Sequence, residues 1–414
     1  MGRSIFLSAA LGLGLIQLML QGCGSATPSS EHTPSVAVRA APARVPEETL
    51  VTNGLETVNY VKSDSAENTV LMVELLPEGL FVVTQPQAQR TGRLKLYNRT
   101  SVVLDWLFEI KEPLRAPPAV YRYPSGVTGR RNEVFFTQLD TVHCIDLEYG
   151  DEMWREELPF SVSTRLAADE LNYFVGSDNG RIYGIRKKSS TEEWLWRTGN
   201  SIKAAPVVDR GNVICASTDG SVYKFTGAGG WTTGTSWKYD TGSRIVADPV
   251  CYSRWVLVGS TDYKLYCLEM QDKTVYWQFQ AQAPIEDPPV VLSYQPNQEY
   301  VYVIAVQRLP RSEVRTLFAV KLTTGQEMWR TAGVRKVVSM GKRNLYVIND
   351  PKPGEPRSVL ALDILTGEEK FRFPVGGFSF VPLNSADSGR SQKDRGRIYL
   401  VAEDGTIQVI GEKL

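Results

Sequence analysis

Histidine is almost missing from this chain: 414 residues contain two, His32 and His143. A histidine-built metal centre, or a nucleophile activated by an imidazole base, therefore has hardly any raw material. Cysteine is also scarce, and none of the five residues forms a Cys-Cys or Cys-x-x-Cys pair. That excludes a thiolate zinc site and a haem-attachment motif. Excess charge of either sign is absent, since Lys+Arg and Asp+Glu both number 46. No long-range field draws the protein to nucleic acid or to an anionic surface. No glycine-rich loop follows a strand and opens a helix, so a nucleotide-phosphate cradle is excluded too. The longest uncharged apolar stretch, Ile5 to Leu20, is short for a membrane span.

That stretch follows Arg3 and ends in Leu20-Gln21-Gly22-Cys23, the layout of an export signal closed by a lipobox. Residues 1–22 read as a lipoprotein signal peptide. Small Gly22 suits the peptidase, and the Cys23 thiol is the expected site of lipid attachment. Acyl chains contribute about 0.8 kcal/mol per buried methylene, enough for a near-permanent anchor. Residues 23–48 are rich in Ser, Thr, Ala, Arg and Pro without apolar periodicity; they read as a lipidated, disordered linker containing His32. Gly24, rather than Asp, after the acylated cysteine points to the periplasmic face of the outer membrane.

The remainder, residues 49–414, is repetitive. A small or apolar residue, an apolar one and a polar one lead through a turn to an aromatic ten positions after the start. Ala361-Leu362-Asp363 leads through Thr366-Gly367 to Phe371, and Ala319-Val320-Lys321 through Thr324-Gly325 to Trp329. Equivalent units end at Trp106, Trp154, Trp194 and Trp277; a seventh, ending at Trp237, is three residues longer through a Gly-rich insertion. Before these units lie alternating apolar runs around polar turns, as in Ala216-Ser217-Thr218-Asp219-Gly220-Ser221-Val222. Asp-Gly between such runs is a strong hairpin signal. Earlier still come short inner strands, Ala205-Pro206-Val207, Asp248-Pro249-Val250 and Pro288-Pro289-Val290. Strand, strand, hairpin, strand, Thr-Gly turn and strand make one four-stranded propeller blade.

The closing aromatics recur at blade-sized intervals. After Phe371 three further strands follow, but the next aromatic in register would lie beyond Leu414. The spare segment Thr49–Val61 can supply the missing outer strand and remove two open edges at once. The expected fold is all-β: an eight-bladed β-propeller of four-stranded blades, with the ring closed by an N-terminal strand in the last blade.

The Ala-x-Asp-x-x-Thr-Gly-x-x-x-Trp segment, closest at Ala361–Phe371 and Ala319–Trp329, resembles the marker of the pyrroloquinoline-quinone-type repeat β-propellers. The compact chain with signal and lipobox is most similar to the BamB-like outer-membrane assembly lipoproteins. The resemblance implies that Trp106, Trp154, Trp194, Trp237, Trp277, Trp329 and Phe371 dock adjacent blades, with indole N–H groups bonded to backbone in the Thr-Gly turn. It implies a non-enzymatic scaffold without a cofactor, working as a monomer within a complex. The partner it implies is an envelope protein such as a BamA-like barrel-assembly protein. The alternatives are a quinone-dependent oxidoreductase or a small-ligand- or polysaccharide-binding propeller; the chain lacks the adjacent cysteines that many such dehydrogenases carry.

Other constellations read as structural. Cys144, Cys215, Cys251 and Cys267 fall on strands and suit buried free thiols. His143 sits on a blade strand. Asp178, Asp219, Asp262 and Asp404 look like one repeated turn position. Partner contacts are expected on long connections: Tyr121–Arg131, Ser293–Glu299, Arg308–Arg315, Pro351–Arg357 and Asn384–Arg395.

Overall fold

The computed structural model describes residues 43–62, 68–86, 91–112, 114–189, 192–226, 236–385 and 395–413. The signal, Cys23 and most of the linker lie outside them, as does most of Asn384–Arg395. The described chain holds strands and one six-residue helix.

Seven sheets are four-stranded antiparallel meanders in chain order, from the sheet beginning at Asn68–Leu76 to the one ending at Glu369–Pro374. The eighth is built from both ends of the chain. Leu55–Val61 pairs antiparallel with Ile407–Glu412, which pairs with Ile398–Val401. The innermost strand of this blade is reduced to a single bridge, Phe380 to Val401. The N-terminal strand thus takes the outer place left open by the end of the chain, and no blade is left to find a partner elsewhere.

The meander places connections alternately at the two ends of the strands. Links between first and second strands open on one face of the ring, and links between second and third strands on the other. The two middle strands of a blade are sandwiched on both faces, so Glu133–Gln138 is buried along its whole length. Apolar residues pack between sheets rather than within them, giving eight clusters, one at each blade junction. One joins Val70, Leu80 and Val82 of the first blade to Tyr399, Val401 and Val409 of the last, which seals the ring. Arg99 reinforces that seam: it donates to Leu76 O at 2.9 Å and to Asn384 Oδ1, while Tyr399 donates to Arg99 O at 2.9 Å.

The ten-residue spacing has a local cause. In six blades the pairing of third and fourth strands carries a register shift one residue past the partner of the closing aromatic, as at Ala361/Leu362. The blade closed by Trp237, whose turn is longer, pairs without that bulge. The turn itself is set by its acidic residue: Asp363 Oδ1 accepts from Leu365 N at 2.8 Å and Thr366 N at 3.1 Å. Gly367 follows at φ +73°, where an added Cβ would stand 2.4 Å from Trp329 of the preceding blade. Trp329 Nε1 donates to Ile364 O at 2.8 Å. Trp106, Trp237 and Trp277 make the same bond to Leu147 O, Met270 O and Leu322 O. Trp194 is buried between blades three and four, and Phe371, with no N–H to donate, packs at the seventh junction.

Two details depart from the sequence expectations. Residues 43–48, placed at the end of the linker, are folded onto the last blades. Val45 is buried, its amide donates to Gln408 Oε1 at 2.8 Å, and Glu47–Thr52 forms a short helix that buries Leu50. The second concerns the repeated turn position. Asp219, Asp262 and Asp404 each accept from the backbone two residues on, but in the third blade Asn179 holds this place, accepting from Arg181 N. Asp178 instead pairs with Lys203 at 2.6 Å. Ser177-Asp178-Asn179-Gly180 offers two acceptable turn residues in a row, so spacing alone does not separate them.

Candidate functional site

Four of the five expected loops divide between the two faces. Tyr121–Arg131 and Ser293–Glu299 join first to second strands, whereas Arg308–Arg315 and Pro351–Arg357 join second to third. Two are not free loops. Ser293–Glu299 is a tight turn between Val290–Gln295 and Gln298–Leu309, and Arg308–Arg315 is the tip of a long hairpin formed with Ser312–Lys321. Arg308 fixes that hairpin to Glu286 through two bonds of 2.8 and 2.5 Å. The described end of Asn384–Arg395 is structural: Asn384 is buried, and Arg395 Nη2 donates to Tyr294 O at 2.6 Å.

Tyr121–Arg131 combines tyrosine and arginine, the side chains that dominate binding hot spots. Arg130 stacks over Tyr123 at 5.6 Å, and Arg131 lies over Tyr149 at 5.8 Å while pairing with Asp146 at 3.3 Å. Tyr149 is 66% exposed. Beneath this surface sits a buried cation. Lys187 Nζ contacts Glu133 Oε2 and the Asp169 carbonyl, both at 2.5 Å, and lies 4.3 Å from the Tyr121 ring centre. Burial pulls the Lys187 ammonium below its ordinary range, opposed by Glu133. In the blade-two, -five, -six and -seven repeats the equivalent position is apolar: Leu147, Met270, Leu322 and Ile364. With the lysine there, the buried Trp154 Nε1 has no acceptor among the described residues. The broken repeat at Lys187 is the sequence signal for this site.

At the ring centre the inner strands enclose a channel of about 900 Å³. Arg165, Asp248 and Asp287 stand just before the inner strands of their blades and Lys336 within one, and all four line the channel. Arg165 bonds Glu74 at 3.0 Å and approaches Asp248 at 3.8 Å, and Arg315 holds Asp287 at 3.2 Å. Burial raises the carboxyls of Asp248 and Asp287. Sequence inspection missed this ring although two of its members, Asp248 and Asp287, directly precede the inner-strand prolines Pro249 and Pro288.

The remaining candidates are packed. His143 stacks on Phe136 with ring centres 4.9 Å apart and bonds Glu152 through Nδ1 at 2.8 Å; burial lowers its pKa. Cys144, Cys215, Cys251 and Cys267 are free thiols, and burial raises each, Cys251 and Cys267 to about 12. Among the described residues no cluster of His, Cys, Asp and Glu could hold a metal, and no helix is long and apolar enough to cross a membrane.

Strand order, closure and junction cores define a closed eight-bladed β-propeller. Residues 138–234 match the family described as outer membrane protein assembly factor BamB, which supports the BamB-like, pyrroloquinoline-quinone-type repeat read in the sequence. The structure is similar to BamB from Moraxella catarrhalis, with a TM-score of 0.59 and 15% identity over 86% of this chain and 99% of that one. It is also similar to the computationally designed Ika8 protein, with a TM-score of 0.52 and 14% identity over 84% and 97% of the two chains. No curated protein matches the chain.

Proposed function

We propose that the protein is a lipid-anchored envelope scaffold that binds a protein partner and assists outer-membrane β-barrel assembly, without catalysing a reaction. Cys23 carries the anchor, and residues 24–42 tether the propeller to the periplasmic face of the outer membrane. The observation that carries this reading is the closed eight-bladed ring, similar over 86% of this chain to a BamB, together with the BamB family match inside it. The face bearing Tyr121–Arg131 offers the partner exposed aromatic and guanidinium groups on a rigid base. The partner is a barrel-assembly protein of the BamA kind.

The test is photo-crosslinking in cells from positions 123, 127 and 149, with Arg311 on the opposite face as comparison. Capture of an outer-membrane barrel-assembly protein from the first set alone supports the role and its face. Capture from position 311 alone moves the interface to the other side. Capture of no envelope assembly protein from any position removes the assembly function.

A further inference from the structure

Blade seven brings two cations to one wall of the central channel: Lys336 on its inner strand, and Arg357 just before its third strand, Ser358–Asp363. The carboxylates around the channel are already engaged. Glu74 and Asp248 share Arg165, Asp287 is held by Arg315, and Glu78 by Arg122 at 2.9 Å. Lys336 has no such partner. Among the described residues its ammonium makes no hydrogen bond or ion pair; Glu74 and Asp287 act on it only from beyond contact distance. It remains open to solvent inside the channel.

Among the described residues Arg357 is also without a carboxylate. Its Nη1 donates to Ser379 O at 2.6 Å and Phe378 O at 3.4 Å, which fixes the guanidinium, while its buried Nε has no acceptor. Burial lowers the pKa of both groups, and the like charge of Arg357 adds to the effect at Lys336. Both cations line the same walled space, and among the described residues neither is paired with a carboxylate; a bound oxyanion would offset the burial of both and the like charge that Arg357 exerts on Lys336.

We propose that this wall binds a small oxyanion, a phosphate or carboxylate group, between the Lys336 ammonium and the Arg357 guanidinium. The ammonium supplies a mobile point charge and the guanidinium a fixed donor, the usual pairing for such groups. The channel volume of about 900 Å³ accommodates the rest of a small-molecule ligand. This site lies apart from the Tyr121–Arg131 surface, and its existence does not depend on any protein partner.

The test is calorimetric titration of the full-length chain in detergent, with inorganic phosphate and separately with citrate, at an ionic strength held constant with sodium chloride. Saturable binding of at least one probe is expected. K336Q should weaken it at least tenfold, whereas R372Q, which breaks an outer-strand ion pair, should leave it unchanged. The phosphate and citrate arms distinguish the two ligand chemistries. Lys336 makes no structural bond, so K336Q keeps the test informative even where R357Q fails to fold. No saturable binding of either probe up to about 10 mM, or binding that K336Q leaves intact, overturns the proposal.

Discussion

Arg165 donates to Glu74 at 3.0 Å and so ties blade three to blade one through the middle of the ring. Its second nitrogen lies 3.8 Å from Asp248, at the start of blade five, which faces blade one across the channel. One guanidinium therefore serves carboxylates from opposite sides, in a space where burial already raises Asp248.

R165Q leaves both carboxylates without their cation and should destabilise the fold by about 1–2 kcal/mol at pH 7. The sign of the pH dependence follows from Asp248. Burial raises its folded-state pKa, Arg165 lowers it, and the variant loses the lowering contribution. The variant's folded state then holds the Asp248 proton to higher pH. Its deficit should shrink as pH falls from 7 through the raised pKa. Urea unfolding at pH 7 and pH 4.5 checks this; an equal deficit at both values would mean that Arg165 acts by packing alone.

Blades three to five are joined by a repeated lock. Asp219 Oδ2 accepts from Gly199 N of the preceding blade at 2.7 Å and from Tyr223 Oη at 2.7 Å. Asp262 does the same with Gly242 N and Tyr266 Oη. D219A strands three donors, counting Ser221 N, and should cost about 1–3 kcal/mol. D262A should cost a similar amount, and the two losses should add, because the locks share no partner. Denaturant midpoints of the two single variants and the double variant measure both statements.

Lys187 occupies a slot that is apolar in four other blades, yet K187M alone should not stabilise the protein. It leaves the buried Glu133 carboxylate without its cation, at a cost of about 3–5 kcal/mol. K187M combined with E133Q should recover most of that loss. A double variant no more stable than K187M would show that the unpaired Glu133 charge is not the source of the loss.

Much of the ring was legible because the bulge and the Thr-Gly turn fix a constant distance from the third strand to the closing aromatic. Counting those aromatics counted blades, and the shortfall at Leu414 identified the N-terminal strand as the closing piece. The helix Glu47–Thr52 was missed because six residues with one buried side chain carry no periodic signal. The channel ring was missed for a different reason. Arg165, Asp248, Asp287 and Lys336 come from separate blades, and only closure of the ring makes them neighbours. Lys187 was missed because one polar residue in an apolar slot looks like ordinary drift until its partners from blade two are seen.

The glycine of the Thr-Gly turn sets a further expectation. At Gly367 the backbone has φ +73°, and a Cβ would meet the Trp329 ring at 2.4 Å. G367A therefore combines a left-handed backbone with a clash against a side chain anchored by its bond to Ile364 O. The cost should be about 2–4 kcal/mol. W329F removes the indole bond and some volume but adds no clash, and should cost less. In the pair W329A/G367A the clash is gone, so the alanine at 367 should be far less harmful than in the native background. Thermal unfolding of the native protein, G367A, W329A and W329A/G367A gives this interaction energy directly. If G367A costs the same with and without the Trp329 ring, backbone conformation alone demands the glycine, and the blade junction plays no part in selecting it.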